Sequence, residues 1–155
     1  MRIDEDSAKI GFPPPLIYLG TLLLGLAYNG LTGHIGPAGA ISIVTGGAFL
    51  LAGVAVILAG VERFRAAGTE PKPWLPATRL VTTGIYRFTR NPMYLGMALI
   101  YVGIAFVFDS FAAIMLLPVL IFVIQTQVIA REERYLFGKF GAEYAVYKKR
   151  VGRWF

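Results

Sequence analysis

RNPMYLGMALIYVGIAFVFDSFAAIMLLPVLIFVIQTQVIA, residues 90–130, decides the fold. The stretch opens on Arg90-Asn91, turns at Pro92 into an apolar run, pauses at Asp109-Ser110 and runs apolar again to Ala130. A helix crosses the hydrocarbon core of a bilayer with about 20 mainly apolar residues. Residues 92–108 and 110–130 therefore read as two membrane spans joined by a very tight hairpin. Charged and amide side chains at the mouth of a membrane helix are costly unless they are solvated or bind something. That makes residues 90–96 the first candidate site.

Two further apolar stretches lie upstream, at residues 14–32 and 39–61. The expectation is an all-α membrane protein: one domain over residues 1–155, four transmembrane helices, a cytoplasmic loop and an amphipathic C-terminal helical segment over 131–155. Composition agrees, with 56% hydrophobic and 15% charged residues and a mean hydropathy of +0.63, too apolar for an ordinary soluble domain. There is no cysteine, which excludes disulfides and thiolate chemistry. The single histidine, His34, cannot make a metal site alone, and no metal is expected. Asp4, Glu5 and Asp6 outnumber Arg2 and Lys9 ahead of the first apolar run. That is not the basic leader of a cleavable signal, so the first helix is expected to be retained.

Basic residues set the orientation. Two lie in the N-terminal tail, six between the second and third spans, and seven after the fourth, which accounts for all fifteen. By the positive-inside rule both termini and the middle loop are expected in the cytoplasm, with the His34 connector and Asp109 on the opposite side. The connector's Gly and Pro suit a turn between antiparallel neighbours. The formal charge of +6 then needs no nucleic acid to explain it. Gly39, Gly46, Gly53 and Gly60 recur every seven residues, and Gly96 and Gly103 share the interval. Such stacked glycines let membrane helices approach closely, predicting a packing seam and a possible homo-oligomer contact. Pro118 is expected to kink the fourth span.

Potentially reactive chemistry falls on one side. The loop over 62–90 carries Pro71, Pro73 and Pro76 and reads as an ordered connector. After the fourth span, Leu136, Phe140, Tyr144, Tyr147 and Val151 form an apolar stripe at helical spacing, with Gly138 and Gly141 expected to break the helix. This segment is expected along the membrane interface.

The run Gly84-Ile85-Tyr86-Arg87-Phe88-Thr89-Arg90-Asn91-Pro92-Met93-Tyr94-Leu95-Gly96 resembles the Gly-x-Tyr and Arg-His/Asn-Pro-x-Tyr-x-Gly signature of integral membrane methyltransferases. These include the isoprenylcysteine carboxyl methyltransferases, the phospholipid N-methyltransferases and small prokaryotic relatives. Glu132-Glu133-Arg134-Tyr135-Leu136 and Phe140-Gly141-Ala142-Glu143-Tyr144-Ala145-Val146-Tyr147, with Arg150 and Arg153 beyond, resemble the second half of the signature. Two positions depart from it: Asn91 stands where many relatives have His, and Gly152 where many have Pro. A His base at the first position therefore cannot be assumed.

The resemblance implies S-adenosylmethionine as methyl donor, with S-adenosylhomocysteine as product. Glu132 or Glu133 would hold the donor's ammonium, and Arg90 and the basic C-terminal end its carboxylate. Asn91, Pro92, Leu95 and Gly96 would shape the nucleoside end, with Tyr86, Tyr94, Tyr144 and Tyr147 packing on it and Gln125 and Gln127 lining the inner wall. Arg150 or Arg153 would steer an anionic acceptor, beside Glu133. The acceptor would be a lipidic or small hydrophobic carboxylate, thiol or amine entering from the bilayer. The competing reading is a non-enzymatic four-helix scaffold that binds a partner through its glycine seams. A transporter is disfavoured, because no ionisable residue lies deep in a span.

Overall fold

The computed structural model describes residues 5–32 and 38–155. The connector around His34, and Arg2 and Asp4 in the tail, lie outside the described residues. Every regular element is helical, in the order α1 (Pro14–Leu31), α2 (Ala40–Ala67), a 3-10 turn (Gly84–Arg87), α3 (Pro92–Val107), α4 (Phe111–Val123), a π-helical segment (Ile124–Ile129) and α5 (Ala130–Arg150). Three helical runs are long and apolar enough to cross a membrane: α1, α2, and the continuous run Phe111–Arg150. The fourth apolar helix, α3, is shorter. Leu24, Ile41, Val44, Leu51, Leu58, Phe111 and Phe122 stand exposed along these helices. With no core behind them, such side chains suit lipid as solvent, and the chain is an integral multi-pass membrane protein.

The start of α3 is set by Pro92 at its first turn, where a missing N–H costs nothing. Its end is the tight turn at Asp109, whose φ is 47°, and Ser110 caps α4 by accepting from the Ala113 N–H at 3.2 Å. Asn29 of α1 is buried and clasps this hairpin, donating to the Asp109 carbonyl at 3.3 Å and accepting from the Ala112 N–H at 3.3 Å. Inside an apolar bundle such an amide must find both partners.

Helix α2 runs past the end of its apolar stretch. The sequence placed Glu62 and Arg63 in a loop, but the helix continues through Ala67 and stops at Gly68, left-handed at φ 67°. Charge ends the membrane span at this point; only the glycine ends the helix.

The α2–α3 pair forms the most extensive contact in the bundle. A Cβ at Gly53 would lie 2.7 Å from the Gly96 carbonyl oxygen, and one at Gly46 2.7 Å from that of Gly103; the reverse approaches are 2.8 Å. Gly46, Gly53, Gly96 and Gly103 are therefore spent within one chain, while Gly39 meets nothing within 4 Å. That removes the basis for a homo-oligomer, or a partner-binding scaffold, built on this seam. Helix α1 packs chiefly on α4 and also on α3, with Gly25 seated against Ala113. The expectation that α1 and α2 would be packed neighbours is thus corrected. Among the described residues α3 lies between them, because its glycines draw α2 to one side while Gly25 draws α1 towards α4.

Pro118 is accommodated inside α4, and the irregular winding falls further on, in Ile124–Ile129. Beyond it α5 continues the membrane helix directly instead of starting a separate interfacial helix. Gly138 stays helical. Gly141, at φ 50° and ψ −120°, breaks α5 with a conformation that other residues avoid. The break reverses the chain. Lys148 and Glu133 are fifteen positions apart, about 22 Å along a straight helix, yet their side chains meet at 3.3 Å.

Candidate functional site

The reversal at Gly141 brings the second half of α5 over the first turn of α3. Glu133 is the point of convergence. Its carboxylate accepts from Arg90 Nη1 at 2.8 Å, from Arg153 Nε and Nη2 at 2.7 and 2.8 Å, and from Lys148 Nζ at 3.3 Å. Burial pushes this carboxyl up. The hydrogen bond from Arg153 and the charges of Arg90 and Arg153 overcome that and hold it at about 2.

The segment after Arg150 is tied across the same place by backbone. Arg90 N–H donates to the Gly152 carbonyl at 3.0 Å, and the Arg153 carbonyl accepts from Thr89 Oγ1 at 2.9 Å and Asn91 Nδ2 at 3.0 Å. Trp154 Nε1 donates to Gln125 Oε1 at 3.1 Å. Asn91 is thus a clamp on the C-terminal strap. Gly152 also has a local reason, since a Cβ there would run into the Phe155 carbonyl.

Glu132, one residue away, behaves differently. It borders a cavity of about 280 Å³ and has a single hydrogen-bond partner, Tyr94 OH, at 2.6 Å. Burial and then the charge of Glu133 raise its carboxyl to about 7, against the lowering effect of the Tyr94 hydrogen bond. No cation among the described residues forms an ion pair with it.

The cavity wall near Glu132 includes Arg90, Asn91, Pro92, Tyr94, Glu133, Tyr86, Tyr144 and Tyr147. Tyr147 donates to the Tyr86 carbonyl at 2.7 Å; burial raises both phenols, so both remain neutral donors. The lining also includes Phe64 from α2, Met93 and Met97 from α3, and from the loop the apolar Trp74, Leu75, Leu80 and Val81 together with the charged Glu70, Lys72 and Arg79.

Of the residues singled out in the sequence, six lie elsewhere, among them Gln125, which accepts from Trp154 instead of lining the cavity. Gly96 faces α2, not the cavity. Leu95 does not line the cavity, nor does Gln127, which is exposed and accepts from Arg131 at 3.3 Å. Arg150 is exposed at the end of α5, and Arg153 reaches Glu133 from the side away from the cavity, where it lines a second, shallow groove.

Four participants were missed. Lys148 read as a surface charge, since only the reversal brings it to Glu133. Trp74 and Leu75 lie in Pro71-Lys72-Pro73-Trp74-Leu75-Pro76, where an apolar pair among prolines was the available signal. Tyr135 gave none. Its hydroxyl accepts from the Ala77 N–H at 2.9 Å and from Lys139 at 3.1 Å, and donates to the Asp6 carbonyl at 3.1 Å, pinning the loop and the N-terminal segment together.

A cavity flanked by the Glu132 carboxyl, a guanidinium and five phenols, at the ends of apolar helices, is a setting for a zwitterionic, aromatic ligand beside a hydrophobic one. The comparison with known families agrees: residues 41–143 match the model of the phospholipid methyltransferase family. The chain belongs to that family. The family is one of membrane-associated, S-adenosylmethionine-dependent methyltransferases. Over 72 residues the chain is 35% identical to the protein-S-isoprenylcysteine O-methyltransferase of Schizosaccharomyces pombe (strain 972 / ATCC 24843), an overlap of 46% of this chain and 30% of that protein. No solved structure matches the chain.

The residues present fit the methyl donor of this family. Arg90 supplies the decisive observation, because its Nε is buried without a hydrogen-bond partner while the residue borders the cavity. A buried guanidinium with an unused donor calls for an acceptor such as a carboxylate.

Proposed function

We propose that this phospholipid methyltransferase family member holds S-adenosylmethionine in the cavity between α3 and α5 and methylates a lipidic or small hydrophobic acceptor. The reading is carried by one observation: Glu132, outside any ion pair among the described residues, and Arg90, with an unused donor, border the same cavity. When bound, S-adenosylmethionine supplies an electrophilic methyl group on a sulfonium, and S-adenosylhomocysteine is the product. The chain's own work is to bind, orient and exclude water.

Glu132, held by Tyr94, takes the ammonium of the amino-acid end, and Arg90 takes its carboxylate. Glu133 is a positioning residue, because its oxygens already serve Arg90, Arg153 and Lys148. Tyr86, Tyr144 and Tyr147 wall the adenine and sugar. Asn91 holds the strap through the Arg153 carbonyl, a binding and positioning role that needs no proton transfer.

The acceptor's polar head, a carboxylate of isoprenylcysteine type, a thiol or an amine, lies against the apolar wall of Phe64, Met93, Met97 and Trp74. Its chain leaves between α1, which contributes Pro14 and Pro15 to the rim, and α2. We assign four spans, with α3 as the short one. Both termini and the cavity lie on the cytoplasmic side, a placement supported by the basic residues that flank the spans on that side.

The test is donor binding by calorimetry in detergent across pH. Only ionised Glu132 attracts an ammonium, so affinity rises with pH through about 7. From about pH 6 to about pH 8 the ionised fraction grows from roughly a tenth to nine-tenths, strengthening binding about tenfold. Glu132→Gln removes that dependence, and comparison with it cancels titration of the donor's own amine. Wild-type affinity in Glu132→Gln would sink the assignment. Incubation with isotope-labelled donor and a lipid extract, read by mass spectrometry, identifies the acceptor.

A further inference from the structure

On the side of Glu133 away from the cavity lies the groove lined by Ala130, Glu133, Arg134, Phe137, Lys148 and Arg153. Its charge is unbalanced. Three cations face one carboxylate, and that carboxylate is shared with Arg90 behind it. Arg134 is exposed and has no ion-pair partner among the described residues. Glu133 therefore leaves at least two positive charges in the groove without a counter-ion.

Position narrows the anion. The groove begins at Ala130, where the apolar run Phe111–Val123 and Ile124–Ile129 ends, so it lies at the bilayer's polar boundary once that run crosses the membrane. Phe137, 56% exposed, and Ala130 give the same groove an apolar edge. An anionic headgroup on an acyl chain satisfies both features, as phosphate oxygens accept from guanidinium and ammonium donors while the chain follows the apolar edge into lipid.

We propose that this groove binds the phosphate of an anionic membrane phospholipid, held by Arg134, Lys148 and Arg153. This lipid is distinct from the methyl acceptor, because Glu133 stands between the groove and the cavity. The proposal does not rest on the methyltransferase reading, and its test uses no donor.

The purified full chain is equilibrated in mixed micelles with equal amounts of phosphatidylglycerol and phosphatidylcholine of matched acyl chains, and retained lipid is measured by native mass spectrometry. Wild type is expected to retain the anionic lipid about tenfold over the zwitterionic one. The double variant Arg134→Gln, Lys148→Gln is expected to retain them equally. Arg134→Gln alone, whose side chain has no other partner, lowers the preference and keeps the test decisive where the double variant fails to fold. Arg131→Gln, on the same helix but outside the groove, keeps it. Equal retention by wild type, or undiminished preference in Arg134→Gln, overturns the proposal. So does an equal loss in Arg131→Gln, which would mark diffuse surface charge, or displacement of the lipid by millimolar inorganic phosphate, which would mark a free-anion site.

Discussion

The α2–α3 seam and the Glu133 junction hold the two ends of this molecule together by opposite means. In the seam, backbones touch because the side chains are absent. Four glycines alternate across it, and each would place a Cβ within 2.8 Å of a carbonyl oxygen opposite. At the junction, three long side chains, Arg90 just ahead of α3, Lys148 in the second half of α5 and Arg153 in the strap, converge on one buried carboxylate. The seam is apolar, periodic and local in sequence pattern. The junction is ionic, aperiodic and assembled from residues up to 63 positions apart, as Arg90 and Arg153 are. A membrane bundle gains little from hydrophobic contact between helices in lipid, so van der Waals fit serves the buried half. At the polar boundary, ion pairing becomes available.

The two can be broken separately. Glu133→Gln should have the largest effect, because it strips the shared anion from two guanidiniums, one of them as buried as the carboxylate itself. Removing one partner of a buried pair costs about 3–5 kcal/mol. Denaturation in detergent should show a loss of that size, together with loss of the strap's protection from proteolysis; unchanged melting would mean that backbone bonds alone hold the strap.

The seam should respond to a single methyl. Gly46→Ala, whose Cβ would meet the Gly103 carbonyl at 2.7 Å, should destabilise by about 1–3 kcal/mol. Gly47→Ala, with nothing within 4 Å, should stabilise by about 0.5–1 kcal/mol through helix propensity alone. Opposite signs at adjacent positions distinguish close packing from a general intolerance of the helix, and equal signs would refute the seam.

The smallest expected change sharpens the comparison at the loop that closes the cavity. Tyr135→Phe keeps the ring but loses the hydroxyl bonds to Ala77, Asp6 and Lys139. One such bond contributes about 1 kcal/mol net. Hydrogen exchange at the Ala77 amide should accelerate several-fold while the α2–α3 amides remain protected.

Much of the bundle was legible because hydropathy and glycine spacing are properties of short stretches. The starts of α1 and α3, the tight turn at Asp109-Ser110 and the glycine faces all follow from neighbours along the chain. Hydropathy failed at the ends of elements. It stopped α2 at the first charges, whereas the helix continued to Gly68, because lipid exposure and helical hydrogen bonding are different requirements. The short connector also suggested α1 beside α2, whereas α1 packs chiefly on α4, a pairing that neither hydropathy nor connector length encodes.

The site divides in the same way. Its members near Arg90 and at Glu132-Glu133 were visible as polar groups at helix mouths, but their division of labour was not. Two adjacent glutamates are equivalent in a sequence. One becomes the anion of three cations and the other a carboxyl raised to about 7 beside a cavity, because consecutive side chains on a helix point about 100° apart into different surroundings. By itself the sequence determined that this chain spans a membrane, which helix faces can touch and which helix ends gather polar groups, since all three depend on residue type and spacing. Only the tertiary structure decided that Gly141 reverses α5, that Asn91 clamps the strap and that Glu132 is the carboxyl beside the cavity, because each depends on which distant groups come within hydrogen-bonding reach.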